Sequence, residues 1–234
     1  MLEEETGTEP DSSESSEFTA GRDFDLGPAD GPNPRQVVLL AVLFEGGLAL
    51  VALGLGYLCD FDVLRTFAWT VKGVWIGLLG TVPVVVGLIV LDRFPIGPFA
   101  GLKQVVDDMI VPMFRGVTIP QFFVIAAVAG VGEEMLFRGL LQGGLEHLLK
   151  ARMDATTAAW TALLVASAIF GLMHPITRMY ALLCFLMGLY MGGIWMLVPP
   201  RNLLAPIIIH GLYDFVALVY LVRWAGNRAV RVAE

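Results

Sequence analysis

Residues 121–144 read QFFVIAAVAGVGEEMLFRGLLQGG. The run is apolar over most of its length, and a helix needs about 20 such residues to cross the hydrocarbon core of a bilayer. It nevertheless carries Glu133, Glu134 and Arg138. Each ionisable group costs about 2.5–3.5 kcal/mol at the centre of an inserted helix, so the three together cost roughly 8–10 kcal/mol if left unpaired. The helix must pair them, wet them or place them near an end. Glu134 and Arg138 are four apart, on one face, and can pair along their own helix. Glu133 is turned about 100° from Glu134 and has no obvious partner there. An unpartnered carboxyl in a low-dielectric site is the setting for a general base or a proton-sharing acid.

The rest of the chain is of the same kind. Of 234 residues, 56% are hydrophobic and 16% charged, and the mean hydropathy is +0.73. Soluble domains carry about 25% charged residues, so this chain lacks the charge to coat a globule. Collagen-like, coiled-coil and wholly disordered classes are excluded on composition too. The expected fold is all-α, a polytopic transmembrane helical bundle. Six spans are expected, at 37–58, 71–91, 121–144, 156–174, 179–198 and 203–222. Glycines inside them, among them Gly46, Gly47, Gly188 and Gly192, let helix backbones approach closely. Residues 98–116 differ. Phe99, Leu102, Val105, Val106, Met109, Ile110 and Met113 recur at helical spacing around Lys103, Gln104, Asp107 and Asp108, which predicts a helix lying at the membrane interface.

The formal net charge of −7 belongs to one end. Residues 1–36 hold ten acids and two bases among Ser, Gly and Pro, and are expected to form a disordered acidic tail. The remaining divisions are 37–120, with two spans and the interfacial helix, 121–222, a core, and 223–234, a short basic tail. The acidic N-terminus lacks the basic region of a signal peptide. Cys59 and Cys184 form no framework or metal-type spacing. No basic patch supports nucleic-acid binding. With six spans, nine Lys and Arg fall on the side of the termini and five on the other, which puts both termini in the cytoplasm.

Further ionisable groups sit in later spans. Phe170 and His174 are four apart in IFGLMHP, where Pro175 ends or kinks the helix. His210 and Asp214 are four apart in NLLAPIIIHGLYDF, and Pro206 frees the carbonyl of Asn202 from its helical partner. The third histidine, His147, falls beyond the third span and reads as solvent-side. Two Glu, two His, an Arg and an Asp on three spans are stabilised only by facing one another or a shared wet cavity. A Glu and a His converging on a water can activate it for attack on a carbonyl, and a second His can hydrogen-bond the oxyanion. Alternatively Glu133, His174 and His210 bind Zn²⁺ with one position open. No H-E-x-x-H is present. A proton-linked transporter also uses buried Glu and His, but no inverted repeat or paired broken helices are visible.

In order, Glu133-Glu134-Met-Leu-Phe-Arg138, Phe170-Gly-Leu-Met-His174 and His210-Gly-Leu-Tyr-Asp214 resemble the three motifs of the CAAX-protease and bacteriocin-processing (CPBP) family, also called the abortive-infection domain family, which includes the Rce1-like CAAX prenyl proteases. The resemblance covers roughly residues 121–220. It implies an α-helical intramembrane endopeptidase, integral to a bacterial plasma membrane, acting on a membrane-associated protein or peptide. By the same resemblance Glu133 and His174 activate water, Glu134 supports the site, Arg138 orients it, and His210 and Asp214 serve the oxyanion side. Family members are described as zinc enzymes or as metal-independent glutamate proteases, so Zn is the one cofactor in view. Prenyl proteases of this family carry Asn where this chain has Asp214, and an ionised Asp cannot donate to an oxyanion. The other readings are a non-enzymatic membrane scaffold or immunity-type protein, and the transporter.

Overall fold

A computed structural model describes residues 33–225, which are helical apart from short connections and contain no strand. The acidic tail lies outside the described residues as far as residue 32, and so do residues 226–234 of the basic tail. The first helix starts slightly earlier than the apolar run alone suggests. Asn33 caps it, its side-chain oxygen accepting from the Arg35 amide at 3.0 Å, and Pro34 fills the first turn, where its missing N–H costs nothing.

Helix α1 (Pro34–Leu58) is followed by α2 (Val71–Arg93), α3 (Pro98–Val105), a π-helical turn (Val106–Ile110) and α4 (Val111–Met113). Next come α5 (Ile119–Glu134), a π-helical stretch (Met135–Gln142) and α6 (Gly143–Leu149). The chain then forms α7 (Ala155–Leu172), α8 (Arg178–Leu197) and α9 (Leu204–Val219), which ends in a π-helical turn (Tyr220–Ala225). Polar residues start the long helices. Thr70 Oγ1 accepts from the Gly73 amide at 3.0 Å, Asp154 accepts from the amides of Thr156 and Thr157 at 3.1 and 3.0 Å, and Thr177 Oγ1 accepts from the Tyr180 amide at 3.0 Å.

Among the described residues five runs are long and apolar enough to cross a membrane: α1, α2, α7, α8 and Leu204–Trp224. Their outward faces carry exposed Leu40, Phe44, Leu50, Leu79 and Leu164, as helices bathed in lipid require. The third expected span, 121–144, is the exception. Its α-helical part has 16 residues, and the winding changes to π directly after Glu134, although the rod stays helical from Ile119 to Leu149. Pro206 also departs from expectation. It falls in the first turn of α9, so it breaks no helix, and the carbonyl of Asn202 accepts from the Ala205 amide at 3.3 Å. The Asn202 side chain instead ties the start of α9 to the loop before α2, donating to the Ala68 carbonyl at 2.8 Å and to Thr70 Oγ1 at 2.9 Å.

α5 packs between α1 and α9; α9 also packs on α2, and the π-helical stretch and α6 pack on α7, which pairs with α8. The α5–α9 crossing is set by two glycines. A Cβ on Gly130 would lie 2.8 Å from the Gly211 nitrogen, and one on Gly211 would lie 3.1 Å from the Ala126 carbonyl oxygen. Without a hydrophobic drive between helices in lipid, such backbone approach is what brings them together. It brings Glu133 and Glu134 to the level of His210.

Past the apolar part of the rod, Glu146 on α6 meets Arg201 Nη1 at 2.7 Å and Lys150 Nζ at 2.7 Å, while Arg201 lies 4.9 Å from the centroid of the Trp195 ring. Burial alone would push the Glu146 carboxyl up, but hydrogen bonds from Arg201 and Lys150 hold it below its ordinary 4.5. A depressed carboxyl stabilises the fold above its unfolded pKa, and that stability is lost as pH falls through the folded value. Thermal midpoints in detergent should therefore drop below pH 4.5, and Glu146→Gln should flatten that drop. Gly130→Val should spread α5 from α9 and destabilise the bundle by about 1–3 kcal/mol, read as a lowered Tm.

Candidate active site

The two carboxylates end α5, and the two histidines reach them from different directions. Pro175 cannot continue α7, and His174 sits just past its end, with its amide on the Gly171 carbonyl at 3.1 Å. Its Nδ1 lies 2.7 Å from the Phe170 carbonyl oxygen, which can only accept, so Nδ1 carries the proton. The other ring nitrogen, Nε2, lies 4.0 Å from Glu133 Oε1. A gap of that length between two polar atoms suits one bridging water.

Glu134 is fully buried. Its Oε1 receives Arg138 Nη1 at 2.7 Å and His210 Nδ1 at 2.9 Å. With Oε1 already accepting from Arg138, it accepts also from Nδ1 of His210. Arg138 Nη2 donates to the Gly188 carbonyl on α8 at 3.2 Å, and the guanidinium lies 4.9 Å from the centroid of the Phe170 ring. One buried ion pair thus links α5 and the π-helical stretch to α7, α8 and α9.

His210 Nε2 points the other way. It lies 3.9 Å from Glu133 Oε2 and 3.5 Å from Asp214 Oδ2. With Nδ1 already donating, His210 offers a second donor only as the imidazolium, and Asp214 is placed to stabilise that charge. Asp214 thus acts on the histidine, where an Asn would offer an amide. All six residues singled out in the sequence, Glu133, Glu134, Arg138, His174, His210 and Asp214, meet in one cluster. His147 lies apart from them, exposed and 5.9 Å from the Phe61 ring.

The cluster opens into an apolar cavity of about 510 Å³ between α2, α8, α9 and the segment after Gly97, with His174 and His210 in its wall. The segment 98–116 supplies part of its wall. Phe99, Leu102, Val105, Val106 and Ile110 face the cavity, while Met109 and Met113 stay exposed. Lys103 ties the segment to α2 through Asp92 at 2.8 Å.

Residues 115–216 match the family model of the Rce1-like type II CAAX prenyl endopeptidases. This is the family the three motifs resemble, and the match covers all of them. No curated protein and no solved structure matches the chain. The Rce1-like segment begins before α5 and ends within α9, so α1, α2 and the cavity cover lie outside it.

Nδ1 of His210 bonds Glu134, while its Nε2 and that of His174 face Glu133, the three groups that would hold Zn²⁺. Among the described residues no three His, Cys, Asp or Glu side chains are arranged to hold a metal ion. Cys59 and Cys184 are both free, the second buried beside Phe170 and Phe137.

Sequence reasoning missed Glu45 on α1. Its carboxyl interacts with that of Glu133 and faces His210 and Asp214. The signal was available, since Glu45 is the one acid in the 25 residues of α1, and an ionisable group within a span marks a site by default.

Removing one partner of a buried ion pair strands the other. Arg138→Met should cost about 3–5 kcal/mol, measured as a fall in Tm in detergent. The double variant Arg138→Met/Glu134→Gln should recover part of that loss, because no charge is then left unpaired.

Proposed function

We propose that the protein is an intramembrane endopeptidase that hydrolyses a peptide bond of a membrane-associated protein or peptide, with a lipidated, CAAX-like substrate favoured. The observation that carries this reading is Glu133 with both histidine Nε2 atoms within 4.0 Å, opening to an apolar cavity. The Rce1-like match supports the reaction class and the lipidated substrate.

In this mechanism a water lies between Glu133 and His174 Nε2. Glu133 takes a proton from it, and the oxygen's electron pair forms the new bond to the scissile carbonyl carbon. The C=O π pair moves onto oxygen, where the His210 imidazolium donates a hydrogen bond from Nε2. Collapse of the tetrahedral intermediate re-forms the carbonyl and breaks the C–N bond, and the amine leaves with the proton from Glu133. His174 holds the water in place through a hydrogen bond at Nε2. Asp214 and Glu134 hold His210 charged and oriented, and Arg138 holds Glu134. The cavity holds the apolar part of the substrate beside these groups. The chemistry is of the glutamate type. Counting the α5 rod as a crossing, both termini lie on the cytoplasmic side.

The decisive assay uses purified full-length protein in detergent or vesicles against lipidated and plain peptides, with and without chelator. Cleavage of lipidated peptides, undiminished by chelator, is the expected result. Glu133→Ala and His174→Ala should each lower kcat by about 10²–10⁴-fold while expression and membrane insertion persist. Full activity in either variant would remove the mechanism, and loss on chelation would return zinc to it. Absence of cleavage with proton-dependent solute uptake in vesicles would favour a transporter. A cellular role that survives Glu133→Gln would favour a scaffold.

A further inference from the structure

Glu45 is the acidic neighbour of Glu133 that the proposed mechanism leaves unused. It comes from α1, outside the Rce1-like segment. Its position follows from the α1–α5 crossing. The Glu45 carbonyl oxygen occupies the place a Cβ on Gly132 would need, so the two backbones touch one residue before Glu133. Next to it, a Cβ on Gly46 would stand 3.7 Å from Val128 Cγ1.

The close crossing aims one carboxyl at another. Oε2 of Glu45 and Oε2 of Glu133 are both buried and without a hydrogen-bond partner. The Glu133 side chain is only 10% exposed. Every charged group of the site is near this pair. His210 and Asp214 face it from α9, Glu134 flanks it on α5 beside Arg138, and His174 faces Glu133 from the end of α7. Two ionised carboxylates at this range would repel strongly in a medium that screens poorly. Two neutral acids would leave no base. One shared proton satisfies both constraints. Glu133 has two imidazoles within 4.0 Å, which favour it as the ionised member.

We propose that Glu45 is a positioning residue for Glu133: the Glu45 carboxyl carries one proton and donates it in a hydrogen bond to Glu133, fixing the ionised base against the water site. The role in catalysis rests on the peptidase reading. The shared proton does not, and it is read separately.

Infrared spectra of the purified full-length protein should show a protonated-carboxyl stretch at neutral pH that disappears in Glu45→Gln and shifts in Glu133→Gln. A band that persists in Glu45→Gln, or its absence from the wild type, would overturn the pairing. In the peptide assay, Glu45→Ala should lower kcat by about 10²-fold with KM within about twofold, the size of effect seen when a catalytic group is misplaced. Glu45→Gln keeps an N–H donor and should restore most of that rate. It should also lose the alkaline limb of the pH profile, which belongs to the second ionisation of the pair. Wild-type kcat and pH profile in Glu45→Ala, or no recovery in Glu45→Gln, would overturn the positioning role. If the wild type cleaves no peptide, the peptidase reading fails, while the infrared measurement still decides the pairing.

Discussion

One oxygen atom organises the site. Oε1 of Glu134 accepts from Arg138 at 2.7 Å and from His210 at 2.9 Å, with the carboxylate wholly shielded from solvent. Taking a carboxylate and a guanidinium out of water costs several kcal/mol for each, and their attraction offsets this only where geometry and additional hydrogen bonds are good. Here the second guanidinium nitrogen finds the Gly188 carbonyl and the face of Phe170 receives the charge. Loss of either charged partner leaves the other stranded among apolar helices, so the five elements that meet at the pair are held in one arrangement. That arrangement also orients His210, because Nδ1 bonded to Glu134 turns Nε2 toward Glu133.

The backbone makes this ion pair attainable. Gly130 against Gly211 lets α5 and α9 cross with almost no side chain between them, and Gly132 does the same for α5 against α1. The rod passes from α to π winding immediately after Glu134. π-helical turns inside longer helices are rare and concentrate at functional sites. In this chain the turn follows the two carboxylates directly and carries Arg138, Phe137 and Gln142 inward to buried positions. Close crossing and altered winding are therefore two parts of one solution, which puts charged side chains inside a bundle whose outer faces belong to lipid.

The clustering of the six candidate residues was legible because charge in an apolar run is costly and must be answered somewhere in the fold. Glu134–Arg138 was readable as a pair because helical spacing alone brings the two together. The contacts of Glu133 were not readable in this way, since His174 and His210 lie 41 and 77 positions further along the chain and their orientations depend on tertiary packing. Glu45 was subject to the same rule as Glu133, but it lies in no motif. Its significance rests on which face of α1 meets α5, and a helix apolar all round does not declare that face. In the segment 98–116 the helical stripe was legible and the cavity beneath it was not. Periodicity says only that one face avoids water. A cavity wall and a membrane surface make the same demand, and the structure turns most of the stripe to the cavity. The span count of six missed the change of winding after Glu134, because no residue pattern distinguishes π from α turns there.

Exposure rises stepwise across the cluster. Glu134 is at 0%, His210 at 7%, Glu133 at 10%, His174 at 24% and Asp214 at 30%. The anchor of the site is dry, and the groups assigned to water lie nearer its mouth. A hydrolase within a lipid-facing bundle has to satisfy opposing demands. Its charges must be strong, which favours a low dielectric, and its nucleophile must arrive from solvent. Grading exposure across five side chains meets both demands. The Arg138–Glu134 pair keeps its full field where water is excluded, and His174, with one nitrogen fixed to the Phe170 carbonyl, presents the other where water can enter. The cavity adjoining His174 and His210 is apolar, and it lies on the open side of the cluster, away from the dry ion pair.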